Sequence, residues 1–100
     1  MYKIVTEKAA RKIVEREKNV VVIHSKDGCP VCEYFIPEVV EPIIEEWEDR
    51  VKFIMVKETL FFPAAQHPIM YFFKNGKCVQ HPGGAAPAEA VVNMLEAFYA

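Results

Sequence analysis

Val20-Val21-Val22-Ile23-His24-Ser25-Lys26-Asp27-Gly28-Cys29-Pro30-Val31-Cys32 passes from a continuous β-branched run, through a polar stretch ending in glycine, to two cysteines two residues apart. The run Val20 to Ile23 does not alternate with polar residues, which predicts a strand covered on both faces. Ser25 to Gly28 supply loop chemistry, so the cysteines follow a central strand. From Cys32 to about Trp47, the apolar residues Phe35, Ile36, Val39, Val40, Ile43, Ile44 and Trp47 recur at helical spacing and predict one broad buried stripe. Pro37 and Pro42 each remove a donor and crowd the preceding turn, so a kinked helix or two short ones are expected.

Working outward, Tyr2 to Val5 reads as a short strand. Thr6 reads as the N-cap of a helix whose apolar face is Ala9, Ala10, Ile13 and Val14. Val51 to Val56 is a third strand, and Lys57 to His67 leaves room for a turn or short helix only. Ile69 to Phe73 and Cys78 to Gln80 flank Lys74-Asn75-Gly76-Lys77, and Asn-Gly between strand-like runs predicts a hairpin whose two central residues take positive φ. Gly83 to Pro87 is a connector into a last helix carrying Val91, Met94, Leu95 and Phe98. The order βαβαβ followed by ββα predicts an α/β class, with a mixed sheet of about five strands flanked by helices.

One hundred residues suffice for a single domain, 1–100, and not for two. With 52% hydrophobic and 26% charged residues the chain has the composition of a folded domain rather than a disordered one. Its net charge of −2, with acids and bases interspersed, excludes a face built for nucleic acid. No apolar run approaches the roughly 18 residues of a membrane span, so no membrane association is expected. The N-terminus lacks the pattern of a secretory signal, and the cytoplasm is the expected compartment. Three cysteines are too few for a disulfide framework, and CxxC spacing points to redox chemistry or metal ligation.

At a helix start, the first cysteine lies near unpaired N–H groups and the positive end of the helix dipole, both of which favour thiolate over thiol. Cys29 is accordingly the expected nucleophile, and Cys32, about a turn deeper, the thiol that resolves the mixed disulfide. Pro30 occupies an early helical position where its missing donor costs little, and it withholds one amide N–H from Cys29. A zinc site drawing on Cys29, Cys32, His67 and His24 is a minor alternative, since no second Cys or His pair stands at zinc-finger spacing; no metal is expected. Cys78 reads as a small strand residue with a free thiol. Trp47, Tyr34 and Phe35 read as helix residues in or near the core.

The spacings of these motifs resemble the thioredoxin superfamily over nearly the whole chain. Pro37 stands eight residues after Cys29, matching the kink proline of the active-site helix. His67-Pro68-Ile69 is followed by Phe73-Lys74-Asn75-Gly76, and Gly84 comes sixteen residues after Pro68. The resemblance implies a thioredoxin-like fold and a thiol–disulfide oxidoreductase acting on protein disulfides. It implies Pro68 as the cis-proline beside the cysteines, aligning a substrate strand together with His67. The Cys29–Cys32 dithiol/disulfide would be the only redox group, with no bound cofactor, and a thioredoxin reductase or glutathione would recycle it. A monomer is expected.

Departures from that pattern bear on chemistry. The tryptophan that thioredoxins carry before the first cysteine is Gly28, and their Gly-Pro dipeptide is Pro30-Val31. Their buried aspartate falls on Ile23, and its lysine partner on or near Met55, so the usual proton acceptor for the resolving thiol is absent. Pro30 and Val31, with a partly charged His67 imidazole near Cys29, are expected to tune the pair to a potential less reducing than the roughly −270 mV of thioredoxin, the alternative for His67 being a loop residue whose backbone alone contacts the partner. His24 reads as a hydrogen-bonded structural histidine, with a substitute proton shuttle as the alternative. The apolar stretch 60–65 reads either as filling for a shortened crossover or as a docking rim. Two other functions stand beside the oxidoreductase: a redox-silent adaptor on the same fold, and a glutaredoxin-like, glutathione-dependent reductase.

Overall fold

The computed structural model describes residues 2–57 and 67–100, and the expectations for the 58–66 stretch lie outside the described residues. Among the described residues the strands are β1 (Lys3–Ile4), β2 (Asn19–His24), β3 (Lys52–Val56), β4 (Ile69–Lys74) and β5 (Lys77–Gln80). The helices are α1 (Glu7–Arg16), α2 (Pro30–Phe35), α3 (Glu41–Trp47) and α4 (Ala88–Tyr99). The strands form one sheet in the order β1-β3-β2-β4-β5. β1, β3 and β2 run parallel, while β4 is antiparallel to β2 and β5 to β4. This is the mixed, helix-flanked sheet expected from the element order.

Strand periodicity divides the core between two faces. Val21, Ile23, Phe53, Met55, Met70 and Phe72 point to the side covered by α2, α3 and α4, where they meet Phe35, Val40, Ile44, Trp47, Val91 and Leu95. Val20, Val22, Ile54, Val56, Tyr71 and Phe73 point to the side where α1 contributes Ala10 and Val14. β2, with a hydrogen-bonded neighbour strand on each flank, is buried from Val20 through His24. Coverage of both its faces is why its sequence shows no polar alternation.

Local chemistry places the ends. Thr6 Oγ1 accepts from Ala9 N at 3.1 Å and caps α1. Asn75 and Gly76 have φ of 53° and 82°, the left-handed pair that a two-residue hairpin loop requires. Tyr99 donates its hydroxyl to Phe73 O at 2.8 Å and ties the end of α4 to β4.

The region after the cysteines forms two short α-helices, α2 and α3, as the prolines led one to expect. Between α2 and α3 lies one π-type stretch, Ile36–Val40. Ile36 N–H reaches Cys32 O and Glu41 N–H reaches Ile36 O, a step of five residues. Pro37 has no N–H to give to the preceding turn, and the wider turn absorbs the missing bond while Ile36 and Val40 stay buried. One expectation is corrected here: Tyr34 is 65% exposed, because in this helical phase Cys32, Phe35 and Ile36 take the inward positions.

Candidate active site

Cys29 is the N-cap of α2 and Pro30 its first residue. Cys32 donates its backbone N–H to Cys29 Sγ at 3.2 Å, and Glu33 N–H reaches Cys29 O at 3.0 Å. The two cysteines are paired as a disulfide with Cα atoms 5.3 Å apart, inside the ordinary span for such a bond. Both cysteines are buried, Cys29 with 7% of its surface exposed and Cys32 with 3%. Val31, between them, is exposed. A hydrogen bond from Cys32 N–H and the open N-terminal turn both act on Cys29 in the direction of the thiolate.

Opposite Cys29 stands the loop that leads into β4. The His67–Pro68 peptide is cis. The His67 carbonyl oxygen lies 3.9 Å from Cys29 Sγ. Gly84 N–H donates to Pro68 O at 2.7 Å and Met70 N–H to Pro82 O at 3.3 Å, so the Gly83–Gly84 turn backs this loop. The four positions that the sequence marks for chemistry, Cys29, Cys32, His67 and Pro68, are thus brought to one edge of the molecule, at the end of the parallel strands.

The His67 side chain packs on a second histidine. Its ring meets the buried His24 ring edge to face, with centroids 4.5 Å apart. Burial first, and the Lys26 charge second, hold the His67 imidazole below its usual pKa of 6.5, which leaves it neutral near pH 7. The contact that His67 makes with Cys29 is through its backbone carbonyl. Histidines 24 and 67 lie 43 positions apart in the chain, and spacing arguments cannot reach their contact. It follows from β2 pairing with β4 in the register His24↔Ile69.

The same sheet, through its parallel pairing, puts Ile23 beside Met55. An apolar pair therefore occupies the place where the resemblance to thioredoxins would put an acid and its lysine. Polar groups return at the rim: Lys57 Nζ lies 2.9 Å from Asp27 Oδ1. Cys78 is on β5 and not at this site, as a free thiol whose pKa is pushed up by burial. Among the described residues no group of three or more His, Cys, Asp or Glu is placed to hold a metal ion.

Several solved structures similar to this chain are thioredoxins. The structure of Fasciola hepatica thioredoxin superposes with a TM-score of 0.79 at 23% identity, covering 98% of this chain and 99% of that one. The thioredoxin fold is this chain's fold. Plasmodium falciparum thioredoxin gives a TM-score of 0.78 at 21% identity over 96% and 98% of the two chains. Chlamydomonas reinhardtii thioredoxin f2 gives 0.81 at 18% over 97% and 95%. No protein-family model matches the sequence, and no curated protein matches it. Within the thioredoxin fold the Cys29–Cys32 pair occupies the start of the helix that follows the central strand β2.

Proposed function

We propose that the protein is a thiol–disulfide oxidoreductase acting on protein disulfides. The observation that carries this reading is the Cys29–Cys32 pair at the opening turn of α2, facing the His67–Pro68 loop on a thioredoxin fold. In the reduced protein, the Cys29 thiolate attacks a substrate sulfur, the substrate disulfide breaks, and a mixed disulfide forms. Cys32, buried behind it, then attacks Cys29 Sγ, closing the intramolecular disulfide and releasing the substrate as a dithiol. The place of Cys29 as the N-cap of α2, accepting from Cys32 N–H, supports this order. The backbone of His67 and Pro68 is the surface along which an extended substrate strand aligns. Val31 and Tyr34, both exposed on α2, border the same approach.

Pro30 and Val31 set the poise, Pro30 by withholding an amide donor from Cys29. The couple is expected to equilibrate with glutathione at a potential above about −270 mV. A thioredoxin reductase or glutathione returns the pair to the dithiol. The test is trapping: Cys32→Ser should accumulate a mixed disulfide with a protein substrate, whereas Cys29→Ser should form none. If Cys29→Ser retained full disulfide turnover, the reading would fail. If neither variant altered the capture of a binding partner, the adaptor function would stand in its place.

A further inference from the structure

Cys32 must shed a proton before it can attack, and this buried residue borders a crevice of about 190 Å³. At a share of about 30 Å³ per water in the liquid, that volume admits several waters. Among the described residues, the titratable groups that border it besides Cys32 are Tyr2, Lys26, Asp27, Glu33 and Lys57. The rest of the wall includes Ile4, Ile36 and Met55, which offer no base.

Elimination narrows the acceptor. Lys26 and Lys57 are cations with nothing to accept a proton. Tyr2 donates its hydroxyl to Glu41 Oε2 at 3.0 Å, and burial with that bond pushes its pKa up to about 12. Glu33 is the residue after Cys32 on one helix, and consecutive helical side chains do not face each other. Asp27 remains. Its carboxylate pairs with Lys57 Nζ at 2.9 Å, on the wall of the crevice. Its side chain is 89% exposed, which lets a captured proton pass to bulk water after each turnover.

We propose that Asp27, positioned by Lys57, accepts the Cys32 proton through crevice water when Cys32 resolves the mixed disulfide. The proposal rests on the exchange activity argued above. In the step, the Cys32 S–H proton passes to the Asp27 carboxylate and the Cys32 thiolate bonds to Cys29 Sγ. The bond from Cys29 to the substrate sulfur breaks, and the substrate leaves as a thiolate. The dithiol is oxidised by two electrons and the substrate disulfide is reduced by two.

The experiment uses the full chain carrying Cys78→Ala, reduced and mixed with 5,5′-dithiobis(2-nitrobenzoate) in a stopped-flow instrument. Attack by Cys29 releases one thiolate chromophore, and resolution by Cys32 releases the second, so each trace contains its own reference phase. Asp27→Asn should lower the ratio of second- to first-phase rates about tenfold near pH 6.5, less than the 10²–10⁴ of a directly placed base. The deficit should vanish above about pH 9, where a thiol of ordinary pKa near 8.5 ionises unaided. Asp27→Glu should restore most of the rate, and Lys57→Met should lose part of it. A ratio equal to that of the parent at every pH would overturn the proposal. So would a slowing independent of pH, or a pH-dependent deficit in Glu33→Gln instead of Asp27→Asn. Absence of the first phase in the parent would overturn the exchange reading itself, and this one with it.

Discussion

Replacing Ile23 with aspartate probes the apolar floor of the site. Ile23 is fully buried, pairs with Met55 on one side and Met70 on the other, and belongs to the core that includes Phe35 and Val40. Returning an isoleucine side chain to water forfeits about 2–3 kcal/mol. A buried carboxyl flanked in register by two methionines finds no oxygen or nitrogen partner on either side chain and adds about 1–3 kcal/mol. The sum, roughly 3–6 kcal/mol, is a large part of the roughly 5–15 kcal/mol that holds a domain together. Ionisation deepens the loss. Desolvation raises the folded-state pKa of the new carboxyl above its unfolded value of about 3.9, so the folded state binds more protons than the unfolded state between the two values. Stability therefore falls as pH climbs from about 4 toward the folded pKa. Urea unfolding followed by Trp47 fluorescence at about pH 4 and pH 7, with Ile23→Asn as the control that does not titrate, measures both parts. A loss below about 1 kcal/mol at pH 7, or a pH dependence no different from that of Ile23→Asn, would refute the account of an apolar, partnerless floor.

Other consequences follow from single contacts. Tyr2 has its pKa raised from 10.0 to about 12 by burial and by its bond to Glu41, so its stabilising share is complete below pH 10 and lost as pH rises from 10 to about 12. Tyr2→Phe should flatten that part of the alkaline unfolding profile, and an unchanged profile would contradict it. Gly76 has φ of 82° with open space where a Cβ would sit, so Gly76→Ala should lower stability by about 1–2 kcal/mol through backbone conformation alone. Equilibrium denaturation tests this, and a neutral result would mean the hairpin adopts another turn. His67→Ala removes a neutral ring and leaves the carbonyl in place, so the Cys29 titration should move by less than about half a unit. A rise of a full unit would restore the charged-imidazole role expected from sequence.

Local patterns carry most of the fold. The unbroken Val20–Ile23 run reads as a doubly covered strand because helices do pack on both faces of the sheet that β2 centres. Asn75-Gly76 reads as a hairpin because few other residue pairs tolerate two positive φ values. Pro37 and Pro42 announce a disturbed helix, but a proline only states which donor is lost. The π-type turn depends on how Ile36 and Val40 pack against the sheet. Tyr34 escapes a reading from pattern for a related reason, since a helix with so many apolar positions leaves its inward phase underdetermined.

The site divides in the same way. Cys29 and Cys32 announce themselves by spacing, and the loop around Pro68 through its place before the hairpin. The His24–His67 contact and the Asp27–Lys57 pair are not legible in the sequence, because each joins residues at least thirty positions apart. Only the pairing of β2 with β4 and with β3 brings them together. Asp27 in particular looks like ordinary loop chemistry until Lys57, at the end of β3, is seen opposite it.

The proposed exchange requires Cys29 to be an activated thiolate that closes onto Cys32. The pH dependence of Cys29 alkylation in the reduced Cys78→Ala protein, paired with equilibration of the CxxC against a glutathione buffer, tests it most directly. The account predicts a thiolate titrating below about 7.5 and reversible closure of the Cys29–Cys32 disulfide. A thiol titrating near the ordinary value of about 8.5, with no closure at any buffer ratio, would contradict it.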